Sequence, residues 1–422
     1  MPKGSCLNRG LGVVLLMLLP AELLDGEGFR NPPPGTFNLG RAGGRIAQVN
    51  DSSAVQQNPA NLVDLTNAEF QATPSIVYIA VDFESAAAPG QSARTESPWK
   101  LLPNFFAALP LADGKAAVGL GITVPYGISM EWDRNSSVFD PATGIWRFVG
   151  TGGAPYYTRL TTINFNPTLA FKLGDKLRVG MGLDAMWSDL EFKQYISPAA
   201  PTWWTKAYGE GVGMGGNLGL TWQITDRQRL AVTYRSPMTI GYDGDFRQFN
   251  SPAGNFDSSF NSQLKFPTIV ALGYGLQLND TVRLETDVEW LQFSRFQDLP
   301  VNVGSNPTGI TSTSIPENWK DTFTAGIGGD WAFARHWVLR GGYQFYQSPV
   351  PDSTFSPTIP DADQNVFTIG LGWQGRRNSL EFAYGLDFYN DRHITNDQAS
   401  PAFNGTYSFN VHLFSLAYHY SF

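Results

Sequence analysis

The 422-residue chain is short of several things, and each shortage excludes a class of protein. Its single cysteine, Cys6, lies ahead of the apolar run at residues 11–19, whereas a lipoprotein acylation cysteine would follow such a run. Cys6 is therefore expected to leave with an export signal, so the mature chain has no disulfide, thiol nucleophile or thiolate metal site. Charged residues make up only 16% of the chain, against roughly a quarter in soluble domains. Beyond residue 19 no apolar run approaches the ~20 residues that a spanning helix requires. Mean hydropathy is −0.19, which rules out a bundle of apolar helices. A formal net charge of −8 argues against nucleic acid, whose binding needs clustered Lys and Arg. The four histidines, His336, His393, His412 and His419, lack the spacing of a helical metal motif. A hydrolase triad from His393, Asp391 and some serine exists only on paper. No Walker or Rossmann motif occurs, and no catalytic residue, metal or cofactor is expected.

What is present is alternation. Low charge and near-neutral hydropathy are reconciled by a membrane β-barrel, which shows lipid only every second residue. Lys3 and Arg9 precede the run at 11–19, which is too short to span, so residues 1–27 read as a signal peptide. Cleavage is expected somewhere between 21 and 28. From residue 68 onward, alternating runs meet tight turns such as Asp113-Gly114, Gly174-Asp175 and Asn279-Asp280. Longer Ser-, Pro- and Asn-rich stretches follow, at 130–156, 195–211, 243–263, 300–318 and 349–363. Short turns on one side and long loops on the other are the outer-membrane pattern, and the runs number about fourteen. The predicted fold is thus an all-β transmembrane antiparallel barrel over 68–422.

The run at 281–295 puts Val282, Leu284, Val288 and Trp290 on one face and Arg283, Glu285, Asp287 and Glu289 on the other. A soluble sandwich and a barrel both fit that strand. The chain end favours the barrel: Phe414, Leu416, Tyr418, Tyr420 and Phe422 alternate to a terminal aromatic carboxylate. Such an ending looks like the signal read by the barrel assembly machinery, so that machinery, outer-membrane lipid and lipopolysaccharide are expected partners. Strand parity directs Arg178, Arg235, Arg283 and Arg340 to the lumen. There they either hold a ligand carboxylate or form ladders with Glu285, Glu289, Glu381 and Asp387. Trp203 and Trp204 fall in the stretch read as the loop 195–211, as an apolar landing site in an outer groove or as boundary aromatics.

Residues 28–67 do not alternate, and carry Gly35, Gly40, Gly43, Gly44 and four prolines. They read either as a disordered arm or as a compact plug in the lumen. Gly28-Phe29, Leu39-Gly40-Arg41-Ala42, Asp51 and Asn58-Pro59-Ala60 resemble the N-terminal hatch of the FadL family of outer-membrane transporters. The likeness resumes with Trp319-Lys320-Asp321, Ser348-Pro349-Val350-Pro351 and Ile359-Pro360-Asp361, and covers essentially the whole mature chain. It implies a fourteen-stranded barrel closed by a hatch at 28–67, which takes a hydrophobic small molecule, most simply a long-chain fatty acid. Capture in an outer groove, transfer to an inner pocket and lateral release beside a kinked third strand are also implied. On this likeness Phe29 lines the inner pocket, and Asn58, Pro59 and Ala60 sit beside the lateral opening. The third strand carries Gly119, Gly121 and Pro125, residue types that mark kinks and breaks in strands. Tyr346-Gln347 stands where the family's best-studied member has acidic residues, which leaves an aromatic-hydrocarbon channel open as an alternative. A non-specific porin is a third reading.

Overall fold

The computed structural model describes residues 27–86, 90–133, 139–140, 145–146, 155–197, 200–397 and 403–422. The expected signal segment lies outside these apart from residue 27. Fourteen antiparallel strands form a closed barrel. Closure is made by the last strand, Gly405–Ser421, which pairs with the first from Glu69↔Ser421 through to Ser85↔Gly405. Within Val282–Leu291, the ninth strand, Leu284 and Val288 are 36% and 47% exposed, while Glu285, Asp287 and Glu289 are each 1% exposed. Charge inside and hydrocarbon outside is the order a lipid-embedded wall requires, and the reverse of a soluble sandwich.

The stretches expected as loops at 195–211 and 243–263 are instead largely strand. The fifth and sixth strands, Leu177–Ser197 and Ala200–Thr225, form one long hairpin, and Met238–Ser251 pairs with Gly254–Phe266 to form another. At about 3.3 Å per residue, a strand of 26 residues is far longer than a hydrocarbon core of about 30 Å. Above the bilayer the outward face of a strand meets water instead of lipid, while Thr205, Ala207, Phe246, Gln248 and Phe260 stay buried on the inner face. The apolar–polar alternation that reveals a strand disappears there, although the backbone pairing continues.

Residues 27–65 lie inside the barrel, with the short helices Thr36–Gly40 and Ala54–Gln57 and the 3-10 turn Pro59–Asp64 almost entirely buried. Inward-facing carboxylates of the ninth strand hold this segment by its backbone. Glu285 accepts the N–H groups of Ile46 (2.7 Å), Ala47 and Gln48 (2.9 Å), and Asp287 accepts that of Arg45 (2.6 Å). The Arg41 guanidinium donates to Asp330 at 2.9 Å, and Arg45 donates to Glu289 and, at 2.5 Å, to Gln344. Gly43 has φ +82°, and a Cβ there would lie 2.3 Å from the Tyr343 carbonyl oxygen. Glycine alone lets the chain press against the wall at that point.

Candidate functional site

The wall is broken between the second and third strands. Phe105–Leu111 ladders with Ala116–Thr123 from Phe105↔Ile122 to Leu111↔Ala116. Above that point Trp99–Leu102 pairs only with the first strand, and Gly127–Glu131 only with the fourth. Contact resumes at the bridge Thr95↔Trp132, which leaves a window spanned by a 3.1 Å hydrogen bond from Lys100 Nζ to Ser129 Oγ. The lower edge of the window is Val124-Pro125-Tyr126, where proline removes one donor and the third strand bends.

Unpaired backbone groups are costly in hydrocarbon, and here polar partners meet them. Val124 N–H donates to Asn104 Oδ1 at 3.1 Å, and the Val124 carbonyl accepts from Asn31 Nδ2 at 3.0 Å. The Tyr126 carbonyl accepts from the Thr162 hydroxyl at 2.6 Å. The N-terminal segment meets the break through a single β-bridge, Arg30↔Tyr126: Asn31 N–H donates to the Pro125 carbonyl at 3.0 Å, and Gly127 N–H to the Phe29 carbonyl at 2.9 Å. The segment that fills the lumen is therefore hydrogen-bonded directly to the break in the wall.

A cavity of about 450 Å³ lies behind the window. Its lining includes Leu39, Tyr346, Val366 and Leu413, which are buried in the lumen, and Trp99 and Leu101, which are 60% and 63% exposed on the outer surface. One cavity is thus lined both by residues buried in the lumen and by residues exposed on the outer surface. Its cations are Arg30, Lys100 and Arg159. Arg30 pairs with Glu27 (2.8 Å) and Glu289 (2.7 Å), and Arg159 with Asp189 (3.3 Å) and Glu191 (3.0 Å). Among the described residues Lys100 meets no carboxylate at ion-pair distance, only the Ser129 hydroxyl.

The residues singled out in the sequence are distributed differently from expectation. Pro125 stands at the break, but Gly119 and Gly121 lie below it, laddered on both sides to Ala108 and Thr168 and to Phe106 and Asn166. Asn58-Pro59-Ala60 packs on the fifth and sixth strands rather than beside the window. Asn58 Nδ2 donates to the Ile46 carbonyl and to Thr221 Oγ1, both at 2.8 Å, and a Cβ on Gly180 would lie 2.4 Å from the Pro59 carbonyl carbon. Phe29 does not line the cavity, although its neighbours Gly28 and Arg30 do. Its ring is enclosed by Tyr126, Phe266, Phe293, Phe296 and Trp319 at centroid distances of 5.1–6.0 Å.

The four expected lumen arginines are all engaged. Arg178 bonds Asp64 at 2.7 Å, Arg235 bonds Asp184 at 2.5 Å, Arg283 bonds Asp330 at 2.7 Å and Arg340 bonds Glu381 at 2.7 Å. Parity says which way a side chain points but not which carboxylate it meets. Trp203 and Trp204 are in the sixth strand, not in a loop. Trp204 stacks on Phe249 at 4.0 Å, and Trp203 Nε1 donates to Gln248 at 3.0 Å. Lys100 was missed, although it is the one charge in the apolar run 99–111.

On the loop side, Glu317 accepts from Trp319 Nε1 at 3.0 Å, and burial pushes its carboxyl from 4.5 up to about 8. The folded state therefore keeps a proton that the unfolded chain releases near the ordinary value. Stability from this group is lost as pH rises from there through about 8. Trp319 emission and the thermal midpoint, followed from about pH 5 to 9, are expected to change in that window in the wild type and to flatten in Glu317→Gln. An unchanged pH dependence in that variant would assign the effect to another group.

Residues 26–422 match the family described as outer membrane protein transport protein (OMPP1/FadL/TodX). The long-chain fatty acid transport protein of Escherichia coli O6:H1 is 25% identical over 387 residues, covering 82% of each chain. Outer membrane protein P1 of Haemophilus influenzae is 21% identical over 418 residues, covering 87% of each. Among solved structures, a Pseudomonas aeruginosa FadL homologue superposes with a TM-score of 0.79 at 23% identity, covering 94% of this chain and all of that one. The Pseudomonas putida toluene transporter TodX gives 0.74 at 17% identity, covering 94% and 99%. With a match over nearly its whole length, the chain belongs to the OMPP1/FadL/TodX family of outer-membrane transport proteins.

Proposed function

We propose that this outer-membrane protein takes up long-chain fatty acids, holds them in the cavity behind the wall break and releases them sideways into the membrane. The observation that carries this reading is a single cavity at the wall break, lined by Tyr346 and Leu413 of the lumen and by Trp99 and Leu101 of the lipid face. An acyl tail is stabilised by about 0.8 kcal/mol for each methylene taken out of water, so it gains little by passing through the aqueous periplasm. Release into hydrocarbon avoids that loss.

Lys100, at the window and with no carboxylate at ion-pair distance among the described residues, is the group suited to a ligand carboxylate. A purely aromatic cargo would meet it only through the weaker attraction between an ammonium and a ring face. This favours the acid over the hydrocarbon substrates named for the toluene transporters. Lys100→Met is expected to weaken binding of a long-chain acid about tenfold or more, and to leave the alcohol of equal length nearly unchanged, since a charge-assisted hydrogen bond contributes ~1.5–3 kcal/mol. Titration of both ligands into purified protein checks this. Equal losses for acid and alcohol would remove Lys100 as the anchor, and tighter binding of toluene than of either would favour the aromatic reading.

A further inference from the structure

At the opposite end of the lumen from the loops, the first and last strands meet the hatch around Asp51, Gln71, Glu381 and His419. These residues are 7%, 0%, 5% and 6% exposed. Ligand atoms of Asp51, Glu381 and His419 lie within 4.8 Å of one another. Two oxygens in this cluster are poorly satisfied: Glu381 Oε2 makes only a long 3.6 Å ion pair with His419 Nε2, and Gln71 Oε1 has no hydrogen-bond partner. Buried oxygens are rarely left so. Gln71 is not a carboxylate, and its amide is aimed into the cluster, with Nε2 2.9 Å from His419 Nε2 and 3.4 Å from Asp51 Oδ2. Half a turn of that amide puts its oxygen where the nitrogen now stands.

We infer that Asp51, Gln71, Glu381 and His419 form a binding site for a divalent cation of the zinc type. The four side chains offer one imidazole nitrogen, two carboxylate oxygens and one amide oxygen, a set sized for tetrahedral coordination. Calcium wants six to eight oxygens and gains nothing from imidazole. Two carboxylates balance the charge of the cation. Three of the four ligands are also held from behind. Ser53 N–H donates to Asp51 Oδ1 at 2.9 Å, and Arg340 donates to Glu381 Oε1 at 2.7 Å. The second His419 nitrogen faces Glu69 at 3.6 Å, the carboxylate–histidine arrangement that orients a metal-binding imidazole. Glu69 is itself fixed by Ser52 N–H and hydroxyl at 2.9 and 2.7 Å. Metal–ligand bonds of about 2.1 Å would bring the ligand atoms to roughly 3.4 Å apart, a modest contraction. Asp51 is a hatch residue, while Glu381 and His419 belong to the wall strands Asn378–Tyr389 and Gly405–Ser421, so the ion fastens the hatch to the wall.

The helical spacing rule missed this site because its ligands lie far apart in the chain and meet only through barrel closure. The test uses purified full-length protein in detergent, stripped with chelator and then titrated with zinc chloride. One zinc per chain is expected, with a rise in the thermal midpoint. His419→Gln and Asp51→Asn should each weaken binding at least tenfold, while His412→Gln, whose ring pairs with Tyr384 elsewhere on the wall, should not. Wild-type protein that takes up no stoichiometric zinc overturns the proposal whatever the variants do. So does folded Asp51→Asn or His419→Gln protein that binds zinc as tightly as the wild type. If His419→Gln does not fold, Asp51→Asn, a change confined to the hatch, decides the matter.

Discussion

Tethering the two edges of the wall break is expected to reduce uptake of hydrophobic cargo to the level of cells lacking the protein. The suitable pair is Leu101→Cys and Ile128→Cys, joined by a short reducible dithiol-reactive linker. Both residues line the cavity, one on each edge of the window, and neither belongs to the Lys100–Ser129 hydrogen bond. Leu101 is exposed on the outer surface and Ile128 packs on the interior cluster, so the linker has to reach through the window. The tether cannot disturb a ladder, because Trp99–Leu102 and Gly127–Glu131 are not paired with each other. Ligand binding to the tethered protein should persist, and reduction should restore transport. Each single-cysteine variant treated with the same reagent supplies the control. Normal transport through a tethered wall would mean that cargo passes down past the hatch and that the lateral route is wrong.

Glu285→Ala is expected to loosen the hatch itself. Its carboxylate receives three consecutive hatch N–H groups, from Ile46, Ala47 and Gln48, and lies 3.6 Å from Arg41. All of these are buried, so removing the acceptor leaves three donors without a partner and one guanidinium with less compensation. At roughly 1 kcal/mol or more per orphaned donor, docking is weakened by about 3 kcal/mol or more. The barrel ladders are untouched, so the variant should still assemble and resist detergent. What should change is access. Residues 40–50 should become open to protease added from the periplasmic side, and cells should admit small hydrophilic solutes that the wild type excludes. A variant whose hatch stays protected and whose barrel stays tight would show that Asp287, Glu289 and Asp330 hold the segment without Glu285.

The two outcomes bear on how hatch and window are coupled. Asn31 N–H bonds the Pro125 carbonyl, and the Phe29 carbonyl accepts from Gly127, so displacing the hatch withdraws backbone partners from the kinked third strand. The aromatic cluster around Phe29 opposes that movement. Gly28 shows how closely it is packed: φ is +64°, and a Cβ there would lie 2.5 Å from the Trp319 ring.

Much of the wall was legible in the sequence. Alternation such as Leu284, Thr286, Val288 against Glu285, Asp287, Glu289 marks a strand with unlike faces, and the aromatic terminus at Phe422 assigned the apolar face to lipid. The turns at 113–114, 174–175 and 279–280 were legible for the same local reason, since Asn, Asp and Gly tolerate the backbone they need. Strand lengths were not, because around Trp203, Trp204 and Phe249 the outward face meets water rather than lipid and the alternation loses its contrast.

By itself, then, the sequence determined that the chain crosses the membrane as strands, which residues turn inward and that residues 28–67 stand apart from the wall. These are properties of neighbours in the chain, and in hydrocarbon only a closed barrel satisfies every strand's hydrogen bonds. Tertiary structure alone decided that the wall opens above Pro125 rather than at Gly119, and that Asn58 docks on Thr221. It also decided that Arg178, Arg235, Arg283 and Arg340 each meet a carboxylate, that Lys100 meets none at ion-pair distance among the described residues, and that Asp51, Glu381 and His419 converge. Each of these depends on the distance between residues far apart in sequence, which the register of closure sets and local pattern does not encode.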